Sequence, residues 1–413
     1  MRLKSSAHER RVAMPSENNG MLANISDPLV QIPFRRQDDE VRLSGIQSFS
    51  RADTEDPLNP GFATAVTYVD ALTGLIKKAP FNSPRFEKMS DGGTGILLEG
   101  SSTNAITSSN TTFVDSNIAG GETLSTSVVA GPSGAVEGQT ITQANGTFVG
   151  IYGNVYSYIS SSTVANTLSM WVKAPVGVEF YFSLLDSIAG DLPYTTYHTG
   201  TGEWKRYSTV FGGVTAGATV RPYIWSTNNG AVNWVNGDEM HVSSVQLEAL
   251  PFASSYIPTT GTALTRNVDI LSIEADGNFS DNQFSFIFDF ESKNIGYING
   301  LDRNIFGVDG YGWILGRDNN PRIADVAKFY PLTTQSNVVH RSGMIFDNIL
   351  HEYKTSIDGQ VSAPSTTVPL TQNSVPQFIA IGSRNKFNYR WYGHLRNFRI
   401  YDRALTNEEV AAA

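Results

Sequence analysis

Bulky and polar residues alternate with a period of two over most of the chain. The clearest case is FSFIFDF at 284–290, which sets Phe284, Phe286, Phe288 and Phe290 on one side and Ser285, Ile287 and Asp289 on the other. Only an extended strand turns that spacing into two faces. Between residues 101 and 258 the strand-like runs are ETLSTSVVA, QTITQA, TFVGIYGNVYSYI, NTLSMWVKA, EFYFSLL, EWKRYSTVF, TVRPYIW and EMHVSSVQLE, separated by Gly, Asn, Ser and Pro clusters. Many short strands at such spacing, without helical periodicity, predict a two-sheet sandwich of jelly-roll type. In the last of these runs Met240 and Val242 fall out of step with Val245 and Leu247, the mark of a strand carrying a bulge. A second group of runs follows the link at 251–267: VDILSIE, FSFIFDFE, RNIFGVD, YGWILGR, HEYKTSIDG, QFIAIGS and HLRNFRIYD.

The flanks read differently. Residues 46–100 hold brief apolar pieces between Pro and Gly breaks, with Val66, Tyr68, Leu75 and Ile76 fitting a hairpin around the Asp70–Gly74 turn. Residues 1–45 are polar, of mixed charge and interrupted by Pro15, Pro28 and Pro33, which reads either as an extended arm in need of a surface to order it or as a disordered tail. At the other end, Thr406 is placed to cap one short helix with Glu408 and Glu409 in its first turn. The expected fold class is all-β: two tandem antiparallel β-sandwich (jelly-roll) domains, at 101–258 and 268–413, preceded by an extended N-terminal arm at 1–45 and a small β-hairpin region at 46–100.

Composition narrows the function. Only 17% of the 413 residues are charged and 11% are aromatic, which excludes disorder over the whole length. A net charge of −9 opposes a phosphate backbone, so nucleic acid is not an expected partner. With no cysteine, disulfides, thiolate metal sites and a Cys nucleophile are excluded. No apolar stretch approaches eighteen residues and none follows the basic N-terminus, so neither membrane insertion nor a secretory leader is expected.

Catalytic chemistry finds little to start from. The six histidines form no zinc pattern, and no nucleophile elbow, phosphate loop or dinucleotide fingerprint occurs in a strand-to-helix context. Asp238, Glu239 and Glu248 are the acids that a glycosidase pair could draw on. The chain is expected not to be an enzyme and to need no cofactor, with calcium the one ion left open by Asp302, Asp309, Asp318 and Asn319 in a Gly-rich stretch. Sugar binding asks for aromatic faces rimmed by amides. Two clusters meet that demand: Tyr152, Tyr156 and Tyr158 in GIYGNVYSYI, and Trp225, Asn228, Asn229, Asn233 and Trp234 in IWSTNNGAVNW. Trp171 and Trp204 read as core. The basic and aromatic run RNKFNYRWYGHLRN at 384–397 reads as a surface for an acidic polysaccharide or as a protein interface.

Three stretches carry a family resemblance. Residues 49–106, with FSRA, TYVDALTG, SPRFE and GILLEGSSTNAI, resemble a segment of bacteriophage and prophage structural proteins. TLSMWVKA, GEWKRYSTVF and VSSVQLEALPFASSYIPTTGTALTRNVD are similar to the carbohydrate-binding-module-like sandwich that follows it in such proteins. SIDGQVS and WYGHLRNFRIYDRALTNEEVAAA resemble a laminin-G or concanavalin-A-like jelly roll. The resemblance implies a virion component made in the host cytoplasm, with an arm that attaches to other virion proteins and sandwiches that meet host surface glycans. A tail-fibre, spike or other adhesin is the leading expectation, and a homotrimer the oligomer it implies. The alternative is a capsid or collar decoration protein that braces neighbouring subunits.

Overall fold

The computed structural model describes residues 30–32, 36–37, 40–41, 47–52, 54–113, 123–143, 150–152, 156–157, 165–192, 196–227, 234–274, 282–293, 304–308, 314–317, 322–323, 335–347, 349–364, 378–383 and 390–412. Its strands pair antiparallel and build two sandwiches. In the first, a five-stranded sheet runs Thr123–Thr126, Gln139–Thr142, Glu239–Glu248, Asn166–Lys173 and Lys205–Phe211. A six-stranded sheet lies opposite, built on Gly150–Tyr152, Thr219–Thr227, Glu179–Asp186 and Gly190–Asp191, with Tyr156–Ser157 and Tyr197–Thr199 beside it. Leu168, Met170 and Val172 from one sheet and Phe180, Phe182 and Leu184 from the other share one core, as period two requires. The bulge falls where expected. Ser169 faces Gln246 and Trp171 faces Ser243, so three steps on one strand oppose two on the other, and Ser244 takes a φ of 55°. That extra residue lets Met240, Val242, Val245 and Leu247 all point inward.

The second sandwich takes strands from three parts of the chain. Its eight-stranded sheet runs Gln360–Val361, Glu352–Ile357, His340–Asp347, Gln283–Ser292, Gly393–Tyr401, Thr94–Leu98 and Arg85–Lys88, with Val30–Ile32 also on Gly393–Tyr401. The six-stranded sheet runs Arg322–Ile323, Ile314–Arg317, Asn304–Val308, Phe378–Ile381, Ile270–Glu274 and Gln47–Ser50. Strands from the stretch drawn in sequence as a connecting region thus hydrogen-bond into this sandwich, at Phe49 opposite Leu271 and Leu97 opposite His394. Phe284, Phe286, Phe288 and Phe290 all enter its core, with Phe284 stacked on Phe346 at 4.2 Å. On the other side of the same strand Ile287 is buried under Leu405 and under Val410 of the C-terminal helix Asn407–Ala412, which follows Leu405. That helix opens on a reciprocal cap: Glu409 N donates to Thr406 Oγ1, and Thr406 N donates to the Glu409 carboxylate.

The hairpin Phe62–Val69 and Ile76–Pro80 forms around Asp70, whose carboxylate accepts from the amides of Leu72 and Thr73 while Gly74 turns the chain at φ 69°. It packs on the first sandwich through Ile76, Trp171, Tyr256 and Trp204. Trp171 and Trp204 therefore sit under the hairpin, outside the main core.

The two sandwiches meet where the chain passes from one to the other. Strands Ser102–Asn104 and Leu264–Arg266 pair as it enters and leaves the first sandwich. Beside them lies a cluster of fully buried charges. Arg85 bridges Glu99 at 2.9 Å and Asp269, Arg51 reaches Asp269 at 2.8 Å, and Arg266 reaches Glu99 at 3.3 Å. Ser255 Oγ donates to Glu99. Every charge has an opposite partner, the condition under which burial is tolerated.

Candidate functional site

Each sheet of the first sandwich has an outer face, and the chain uses the two differently. On the five-stranded sheet the outward residues Ser169, Trp171, Ser243, Gln246 and Glu248 are buried beneath the link and the hairpin. Arg206 crosses to the link, donating to Ser254 O at 2.6 Å and to Ser169 Oγ at 3.0 Å.

The outer face of the six-stranded sheet carries an aromatic ladder. Alternation sends Phe180, Phe182 and Leu184 inward and Tyr181 and Ser183 outward; on the next strand Val220 and Ile224 go in while Arg221, Tyr223 and Trp225 come out. Tyr181 lies directly between Tyr197 and Trp225 in the cross-strand register. Tyr223 and Trp225 lie nearly parallel, 8° apart with centroids at 5.4 Å, and Tyr181 lies 6.4 Å from Trp225 at 17°. Tyr197 meets Tyr181 edge-on at 5.6 Å. At such spacings near-parallel rings overlap with an offset, like shingles. The Trp225 Nε1 donates to Ser183 Oγ at 2.8 Å, which fixes the indole in place. Tyr197 is 49% exposed, Tyr223 and Trp225 are half-buried, and Tyr181 is buried between its neighbours. Glu179 and Arg221 flank the ladder on the two central strands.

Trp225 is in the ladder. Tyr152 stands opposite Tyr223 and Tyr156 opposite Val220 in the strand register, which puts both on this sheet. Trp234 is a correction. It is 1% exposed in the core with Val214 and Val220, so its ring has no face for a ligand. Asn228, Asn229, Asn233 and Tyr158 lie outside the described residues, as do the candidate calcium ligands Asp302, Asp309, Asp318 and Asn319. Tyr181, Tyr197 and Tyr223 were missed, although the parity of EFYFSLL and of TVRPYIW places Tyr181, Tyr223 and Trp225 together on the face opposite the phenylalanines.

The acids do not assemble into a cleft. Glu248 is fully buried, accepting from Ser102 Oγ, Gln246 Nε2 and both Ser254 N and Oγ. Glu239 is exposed at the far end of the same strand, about 30 Å away at strand rise, beyond the reach of a glycosidase pair. Asp238 closes a turn by accepting from Val235 N. Of the run at 384–397, residues 390–397 are described; Trp391 to Leu395 are buried, while Arg390, Arg396 and Asn397 are half-buried, with Arg396 and Asn397 bonded to Asp289. Trp391 is in the second core, donating to Ser292 Oγ, and Tyr392 packs edge-on against Phe252 of the link at 5.1 Å. This described part joins the sandwiches to each other.

Residues 307–411 match the family model of the Concanavalin A-like lectin/glucanases superfamily. Among solved structures, similarity extends to NanB bound to Optactamide, at 15% identity and TM-score 0.27 over 34% of this chain; the chain spans 26% of NanB. The CBM22-1–CBM22-2 tandem domain of Paenibacillus barcinonensis Xyn10C is 8% identical over 74% of this chain and 97% of its own, at TM-score 0.26. Domain 4 of AbnA, a GH43 extracellular arabinanase from Geobacillus stearothermophilus solved with arabinotriose, is 17% identical over 35% of this chain and 71% of its own, at TM-score 0.26. No curated protein matches the chain in sequence.

Proposed function

We propose that this protein is a non-catalytic glycan-binding component of a bacteriophage virion, with the ladder Tyr197–Tyr181–Trp225–Tyr223 as its binding face. The observation that carries the glycan reading is that ladder: ring surfaces reaching solvent on a sheet, with hydroxyls, a carboxylate and a guanidinium around them. Pyranose C–H surfaces stack on such rings while the rim supplies hydrogen bonds. The virion setting is supported by the resemblance of residues 49–106 to phage structural proteins, with the N-terminal residues as the attachment arm, other virion proteins as its partners and an adhesin-like appendage as the place. A decoration role on the capsid or collar is the second reading, which the same resemblance of residues 49–106 leaves open.

The glycan reading is tested by titrating the full chain with neutral and acidic oligosaccharides. Binding that falls about tenfold or more in Trp225→Ala and Tyr197→Ala, equivalent to roughly 1.4 kcal/mol, supports it; binding that ignores both substitutions refutes the assignment. Antibody labelling of intact particles tests the setting, since label over the head would replace the tail-adhesin reading by the decoration one.

A further inference from the structure

With the middle of one outer face of the first sandwich covered and the other face bearing the ladder, its edges are what is left. Lys205–Phe211 is the outermost strand of the five-stranded sheet. It pairs with Asn166–Lys173 without a break, from Asn166 opposite Phe211 to Val172 opposite Lys205. In an antiparallel pair about half of a strand's backbone N–H and C=O groups point away from the neighbour. Among the described residues no backbone group bonds to this outer flank. Two usual safeguards of an edge are missing: the strand has no proline and no bulge; its lysine, Lys205, stands at the first position of the strand with Nζ over the Tyr207 ring at 5.3 Å. Ser208 is exposed and Val210 is 45% exposed.

The strand also complements itself. Laid antiparallel on a copy with Ser208 on the two-fold axis, Arg206 opposes Val210, Tyr207 opposes Thr209 and Lys205 opposes Phe211, so no like charges meet. An acidic peptide would instead need both cations turned toward it, and the Arg206 guanidinium is already committed to Ser254 and Ser169.

In place of the homotrimer that the family resemblance implies, we propose that the protein forms a two-fold dimer through antiparallel pairing of Lys205–Phe211 with the same strand of a second copy, joining two five-stranded sheets into one. The axis of such a pairing is perpendicular to the sheet, so both six-stranded sheets lie on the same side of the joined sheet. Tyr197 belongs to the strand next to this edge, where Thr199 O accepts from Tyr207 OH at 2.8 Å and His198 meets Thr209 Oγ1 at 3.1 Å. The two aromatic ladders would therefore face one way and act on one surface together, a consequence that rests on the glycan reading.

The test is the solution mass of the full chain, by sedimentation equilibrium, for wild type, Ser208→Lys and Ser208→Glu. The wild type is expected to be a dimer. Each variant sets like charges against each other on the axis and is expected to be a monomer, while an equal mixture of the two restores the dimer mass, which shows that both fold. A wild type that stays monomeric, an oligomer whose mass the variants leave unchanged, or a monomer that takes up an extended acidic peptide along this strand overturns the proposal. On a polysaccharide-coated surface Ser208→Lys is expected to lose at least tenfold in retention with its affinity for a monovalent oligosaccharide unchanged. If the masses behave as expected and no oligosaccharide binds, the dimer stands and the glycan reading falls.

Discussion

Trp225 and Trp234 lie on opposite sides of one sheet's business, and their loss should be felt in different measurements. Trp225 is half-buried beside Tyr223, so Trp225→Ala acts chiefly on ligand binding. Trp234 is enclosed by the core, and Trp234→Ala is expected to cost about 3–5 kcal/mol in denaturant unfolding with the ladder left intact. His198 is a third kind of residue. Burial among Phe180, Phe182 and Tyr207, helped by the nearby charge of Lys205, pushes its imidazole down to about 4. A folded value below the ordinary 6.5 means that the unfolded chain takes up the proton first. Stability is therefore full above pH 6.5 and falls as pH drops toward 4, by on the order of 3 kcal/mol. Unfolding midpoints measured across that window should flatten in His198→Phe. The roles of these side chains were unevenly legible. Trp225 was found because it ends a strand-like run next to asparagines, and Trp234 was misplaced because a tryptophan nine residues on carries no local sign of which way its loop turns.

At the scale of elements, alternation was a reliable guide wherever a strand has one apolar face. The phenylalanine strand, the hairpin around Asp70, the bulge at Ser244 and the capped helix are all set by neighbours within a few residues. Strand partners are another matter. Gln47–Ser50 closes one sheet of the second sandwich beside Ile270–Glu274, and Phe49 packs against that core. Removal of residues 1–50 should therefore destabilise the second sandwich as well as detach any arm, lowering its thermal midpoint by several degrees, since 1 kcal/mol moves a domain of this size by about 2–8 °C. A truncation with an unchanged midpoint would show that this strand adds nothing to the sheet.

For the molecule as a whole, the buried cluster at the crossing is the feature with most at stake. Burial by itself raises the Glu99 carboxyl, but Arg266 and Arg85, with two bonds from Ser255, outweigh it and hold Glu99 well below the usual carboxylate range. Since the folded value is depressed, its contribution is present above the ordinary Glu value near 4.3 and is lost as pH falls below it. Glu99→Gln leaves two buried guanidinium groups short of a counter-charge and should cost about 3–5 kcal/mol. Calorimetry is expected to show one transition for the wild type and the sandwiches melting separately in the variant. A single unshifted transition in the variant would mean that the cluster does not couple them.

The amino-acid sequence by itself determined the secondary structure and the class: period-two patterning, glycine and aspartate turns, and sparse charge leave antiparallel sheets as the way to bury this many aromatic residues. These are local properties, carried by residues within one turn or one strand of each other. Which strands pair, which face of the first sandwich is covered, and which partners Arg85, Glu99 and Asp269 meet were decided only in three dimensions. Arg85 and Asp269 are 184 positions apart, and no periodicity in a sequence records a contact made across that distance. The same holds for the ladder: parity puts Tyr181, Tyr223 and Trp225 on outward positions, but only the register that sets Tyr181 between Tyr197 and Trp225 makes them one surface.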